Sequence, residues 1–172
     1  MNSHLLFDFS VNKENNTISV RRAFAANLEI VWAAWTTPEI LDQWWAPEPW
    51  KTRTKSMDFR EGGRWIYAMV GPDHSEHWNI ADYKEIIPLK SFSGLDAFCD
   101  EEGTVNKEFP RCFWKNSFSE AQEITTVDIT IQYEQLADLE KIIQMGFKEG
   151  FTMALGNLDR YIAAVKKNPL KD

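Results

Sequence analysis

The chain is short of cysteine, histidine and positive charge, and it has no long apolar run. Of its 172 residues, two are cysteine and three are histidine. No Cys/His group has the spacing of a metal site, so no metal is expected. Cys99 and Cys112 could face each other across a hairpin. Met1 to Ser10, however, has no basic stretch followed by an apolar block. That predicts no secretory signal, reduced thiols and a cytoplasmic setting. Nineteen basic residues face 26 acidic ones, for a net charge of −7. This disfavours nucleic acid and anionic membrane as partners, since both need basic patches. The one basic stripe, Lys51, Arg53 and Lys55, alternates as on a solvated strand face. No apolar run reaches the ~18–20 residues of a membrane span, so no membrane insertion is expected. G-x-S-x-G, P-loop and G-x-G-x-x-G motifs are also missing. Gly62-Gly63 reads as a turn and not a phosphate cradle, and no cofactor is expected.

What the chain has in quantity is aromatic surface: eight Trp, eleven Phe and four Tyr. Each large aromatic buries ~150–250 Å². At ~25 cal/mol/Å², one buried Trp contributes about 4–6 kcal/mol before entropy is subtracted. With 44% hydrophobic residues the chain is not disordered. Its length suits one soluble domain spanning 1–172, which buries roughly 70% of its unfolded surface. Such a chain has enough apolar wall to leave a cavity and stay folded.

Leu5 to Val11 alternates as a short strand, Asn12 to Asn16 is a polar turn, and Thr17 to Phe24 alternates again. Asn27 is a suitable N-cap for Leu28, Val31, Trp32 and Trp35, spaced on one helical face. Thr37-Pro38 restarts a second short helix carrying Ile40, Leu41, Trp44 and Trp45. Strands and turns follow to Tyr133. Trp65, Tyr67 and Met69 share one face, as do Cys112, Trp114, Asn116 and Phe118, with a turn expected at Ser119 to Glu123. Val127, Ile129, Ile131 and Tyr133 alternate most clearly. From Asp138, read as an N-cap, to Lys166 the period predicts one helix ~43 Å long. Gly146, Gly150 and Ala154 lie on its buried stripe, marking close contact with the sheet or space for something else. Residues 167–172 read as a tail.

The expected fold is therefore α+β: a curved antiparallel sheet of six to seven strands wrapped around a long C-terminal helix, with two short helices near the start. Cavities in such an arrangement lie between helix and sheet.

Seven segments carry a resemblance. They are Arg22–Ala26, Val31–Glu39, Gln43-Trp44-Trp45-Ala46-Pro47, Gly62-Gly63-Arg64-Trp65, Met69–Asp73, Ala97–Gly103 and Met145–Phe151. Over about residues 17–166 the chain resembles the SRPBCC superfamily of helix-grip, or Bet v 1-like, domains, which includes START domains and the birch-pollen allergen. Within it, the chain is similar to the branch homologous to the C-terminal domain of the activator of the Hsp90 ATPase. The resemblance implies a helix-grip fold and a hydrophobic cavity, but no universal catalytic set.

Candidate wall residues for a small hydrophobic or amphipathic ligand are Trp65, Tyr67, Met69, His77, Phe98, Trp114, Phe118, Ile129, Phe147, Gly150 and Ala154. Trp65, Tyr67 and Met69 are either core or pocket wall. His77 is the weak candidate for proton transfer, and otherwise an exposed strand histidine. Asp96, Asn116 and Tyr83 could supply polar contacts within an apolar pocket. Three functions stay open: ligand carriage, catalysis of a cyclase, dehydratase or hydrolase type in the same cavity, and interaction with an Hsp90-type chaperone. The last ranks lowest, and a homodimer through an edge strand is possible.

Overall fold

The computed structural model describes residues 5–167. The expected tail beyond Lys167 and His4 lie outside the described residues. The order of elements is β1 (Phe7–Asn12), β2 (Thr17–Phe24), α1 (Leu28–Thr36), α2 (Pro38–Trp44), β3 (Lys51–Met57), β4 (Arg64–Val70), β5 (Glu76–Ile87), β6 (Ser91–Cys99), β7 (Cys112–Ala121), β8 (Ile124–Tyr133), α3 (Leu136–Gln144) and α4 (Phe147–Lys167). Eight strands form one antiparallel sheet in the order β1-β2-β8-β7-β6-β5-β4-β3. The count exceeds six or seven because the leading segment pairs with β2 along its whole length, from Phe7↔Arg22 to Asn12↔Thr17.

The local chemistry explains the turns and caps. Asn27 accepts the Ile30 N–H at 3.0 Å and opens α1. Pro38 takes the first position of α2, where no N–H is needed. At Gly63 an added Cβ would lie 2.0 Å from the Asp58 carbonyl oxygen, so the turn before β4 admits only glycine. β7 runs on to Ala121, three residues beyond the expected Phe118. The β7–β8 turn is Gln122-Glu123, both left-handed with φ of 55° and 62°. Two residues of that kind match the twist of the strands they join, even without glycine.

The C-terminal helix is not continuous. α3 stops at Gln144 and α4 starts at Phe147, with Gly146 between them at φ +92°. The Gly146 N–H bonds the Ile143 carbonyl and the Met145 N–H bonds those of Lys141 and Ile142, which closes α3. Glycine reaches that φ without steric cost, so Gly146 ends a helix and does not mark a packing face. Asp138 is likewise not the cap. Gln135 holds that position and Asp138 lies in the first turn.

α4 crosses the sheet and is anchored in two places. The Arg22 guanidinium of β2 pairs with Asp159 of α4, largely out of solvent. The buried Asn157 amide donates to the Ala46 carbonyl at 2.9 Å and the Trp44 carbonyl at 3.4 Å. The core beside α1 and α2 is dense with rings. Trp35 packs edge-on against Trp44 at 4.7 Å and Phe118 at 5.7 Å, and Phe92 stacks on Phe118 at 6.0 Å.

Candidate ligand pocket

Sheet register determines which side chains meet under α3 and α4. In an antiparallel ladder, residues directly opposite share a face. Trp65 of β4 faces Ala81 of β5, Ala81 faces Asp96 of β6, Asp96 faces Cys112 of β7, and Cys112 faces Tyr133 of β8. Two residues along lie Tyr67, Asn79 and Phe98, and beyond them Met69 and His77. From Asp96, Cys112 and Tyr133 onward, these rows form the floor of a cavity of about 370 Å³, while Trp65 and Ala81 line a smaller void beside it. The roof comes from Ile142, Met145, Gly146, Phe147, Gly150 and Phe151, and one side from Trp45, Pro47 and Trp50 after α2. The break at Gly146 thus falls in the roof.

Aromatic contacts hold the wall in place. The Trp45 Nε1–H donates to the Tyr67 hydroxyl at 3.0 Å, and its ring meets Trp114 at 5.8 Å and Phe151 at 6.0 Å. Trp65 stacks on Tyr67 at 4.0 Å, and Phe147 on Phe151 at 5.3 Å. Trp114 donates to the Cys112 sulfur at 3.2 Å. At the mouth, the exposed His77 ring meets Trp50 at 5.1 Å.

Of the expected wall residues, Tyr67, Met69, His77, Phe98, Trp114, Phe147 and Gly150 line this cavity. Trp65 stands behind Tyr67 and lines a smaller neighbouring void of about 30 Å³. Phe118 and Ile129 lie in the dense core, and Ala154 is a buried residue of α4 away from the cavity wall. Of the polar candidates, Asp96 lines both voids, while Tyr83 and Asn116 line only the smaller one. Cys112, Tyr133 and Phe151 are wall residues outside the expected set, and Trp45, which the sequence reads as an anchor of the short helices or else a residue of the pocket entrance, also lines the wall. Period-two parity pointed to Cys112 and Tyr133, since they alternate with Trp114 and Ile131. Nothing local marked Phe151, which reaches the cavity through the docking of α4.

The electrostatics follow from burial. Asp96 is half-buried and its carboxyl keeps surface toward the cavity. Desolvation pushes its carboxyl well above the usual range, nearby Arg111 opposes this, and Asp82 adds to it. Arg111 does not pair with Asp96: its guanidinium donates to Asp82 at 2.9 Å and to the Leu95 carbonyl at 3.4 Å. Asp82, held also by Arg64, is pulled below its ordinary value by those two partners despite its own burial. Burial raises the Tyr67 and Tyr133 phenols strongly and the Cys112 thiol to about 12. The second thiol, Cys99, also rises, to about 11. Both cysteines are free, and neither has the depressed pKa of a nucleophile. Among the described residues no cluster of three His, Cys, Asp or Glu could hold a metal.

The model of the family described as activator of Hsp90 ATPase homolog 1-like protein matches residues 25–163. The chain belongs to this family. The match starts just after β2 and takes in both short helices, β3 to β8, α3 and most of α4. Solved structures agree with it. A crystal structure of protein Ms6760 from Mycobacterium smegmatis is 26% identical with a TM-score of 0.83, covering 91% of this chain and 96% of that one. A solution structure from Arthrobacter aurescens is also 26% identical with a TM-score of 0.83, covering 88% of each chain. Protein NE0264 of Nitrosomonas europaea, at 20% identity and a TM-score of 0.78, shares the fold, with 89% and 97% covered. No curated protein matches the chain. The helix-grip fold of this family is commonly a ligand-binding one, and no helix among the described residues is long and apolar enough to cross a membrane.

Proposed function

We propose that this protein binds a small, mostly apolar molecule between β4–β8 and the α3–α4 arch. The observation that carries the reading is the cavity of about 370 Å³ with an aromatic wall and one deep carboxyl, Asp96. Ligand sites are typically concave, mainly apolar and marked by a few polar groups, and this volume lies at the small end of their range of ~300–1,000 Å³. A guest of one or two rings, or a short alkyl chain, fits it. Catalysis has weaker support. It needs at least two converging groups able to exchange protons or attack. Asp96, Tyr67, Tyr133 and Cys112 do converge, but burial raises the pKa of all four and so disfavours the charged forms that catalysis would use. A surface role on a chaperone, suggested by the family's description, would make no use of the cavity.

Titration of tryptophan fluorescence with a panel of small aromatic and alkyl compounds tests the reading, because Trp45, Trp50 and Trp114 line the wall. Saturable binding is expected. It should weaken at least tenfold in Gly150→Leu, whose new side chain grows from the roof toward Pro47 and the cavity. A panel in which nothing binds, or equal binding to the filled variant, overturns it.

A further inference from the structure

Resting on the binding reading above, we propose that the guest carries a protonatable amine, seated as an ammonium on the Asp96 carboxylate and enclosed by aromatic faces. Asp96 occupies an inward position of β6 between Ala81 and Cys112. Its carboxyl lines the cavity, and among the described residues no side chain or backbone N–H donates to it. A half-buried acid set among apolar rings without a partner opposes folding. Here it neither caps a helix nor holds a turn, and the nearby guanidinium of Arg111 is already engaged by Asp82. Its chemistry is therefore left for a guest.

The surroundings select the sign of that guest. The titratable groups that face Asp96 across the cavity are Tyr67 on β4, His77 on β5, Cys112 on β7 and Tyr133 on β8. The roof residues of α3 and α4 contribute none. Lysine and arginine are missing from the wall, and the one residue able to become positive, His77, is at the mouth. An anionic guest would meet a carboxyl and no counter-charge. A cationic one would meet that carboxyl among the rings of Trp45, Tyr67, Trp114, Phe147 and Phe151. Cations are attracted to the faces of such rings most strongly where water is excluded.

The proton balance is explicit. The apolar surroundings of Asp96 raise its pKa and so favour its protonated form in the free protein. An ammonium arriving from water enters as the ion pair when Asp96 gives its proton to solvent, so binding releases up to one proton per guest. Amine affinity then rises with pH until Asp96 ionises in the free protein or the amine loses its own proton.

Calorimetric titration of the full chain with naphthylmethylamine, naphthylmethanol and naphthoate tests this, in two buffers of different ionisation enthalpy. The amine should bind at least tenfold tighter than the alcohol and release protons, and naphthoate should bind weakest. In Asp96→Asn the preference for the amine should vanish while alcohol binding persists, which also shows the variant pocket intact. If the alcohol matches the amine in the wild type, or the preference survives in Asp96→Asn, the amine assignment falls and the binding cavity stands. If none of the three binds, the cavity reading falls with it.

Discussion

Asp96 is a half-buried carboxyl to which the fold gives no hydrogen-bond donor, and its cost can be measured without a ligand. Its folded-state pKa lies above the unfolded one. The native state therefore binds the proton more tightly, and that advantage is fully present below the unfolded carboxylate value of about 3.9. It is lost as pH rises from there through the raised folded value. Asp96→Asn has no proton to lose. The variant should match the wild type near pH ~4 and exceed it near pH ~7 by on the order of 1–2 kcal/mol. Urea midpoints at the two pH values check this, and equal stability at both would show that Asp96 is solvated. A second residue-scale test concerns Gly150. An added Cβ there would touch only Pro47, at an ordinary 3.6 Å. Gly150→Ala should stabilise the protein by about 0.5–1 kcal/mol through helix propensity, measured as a rise in Tm.

Two elements depend on contacts that no propensity predicts. β2 and α4 are joined by Arg22 and Asp159, with only 11% and 25% of the side chains exposed. The guanidinium also lies 4.8 Å over the Phe24 ring, and its Nε is buried without a partner. Removing one member strands a buried charge. Asp159→Ala should cost about 3–5 kcal/mol, and Arg22→Met combined with Asp159→Leu markedly less, in denaturant midpoints. A double variant as unstable as the single one would mean that the pair itself supplies the stability. The β7–β8 turn stores strain of a different kind. Gln122 and Glu123 both sit at positive φ, where side chains crowd the backbone. Replacing them with Asn-Gly should add about 1 kcal/mol, read from thermal unfolding. Of the two C-terminal helices, α3 buries only Leu139, while α4 buries six residues. Amides of α3 should exchange faster than those of α4 and slow when a guest binds. Equal exchange in the two helices would argue against α3 as the movable part of the roof.

At the scale of the molecule, alternation made the strands legible, and the change of period located the helical end. Val127, Ile129, Ile131 and Tyr133 fixed the inward face of β8, and the quoted segments were enough to recognise the family. The break at Gly146 was not legible, because helix periodicity continues across it and only the φ of one residue reveals it. The division between wall and core escaped for a similar reason. Phe118 and Trp114 share one strand face and one chemical character. One packs against Trp35 and Phe92, and the other opens onto space, because α1 and α2 cover only one end of the sheet. Parity says which way a side chain points, but not whether a neighbouring element reaches it.

The crowding of Trp35, Trp44, Phe92 and Phe118 at one end has an evolutionary corollary. Met69, Phe98 and Phe147 in the other half are only half-buried, so each can be exchanged at a smaller cost than one of those enclosed rings. A lineage built on this plan can switch its guest by rewriting a few rim and wall codons while inheriting the rest of its architecture unaltered.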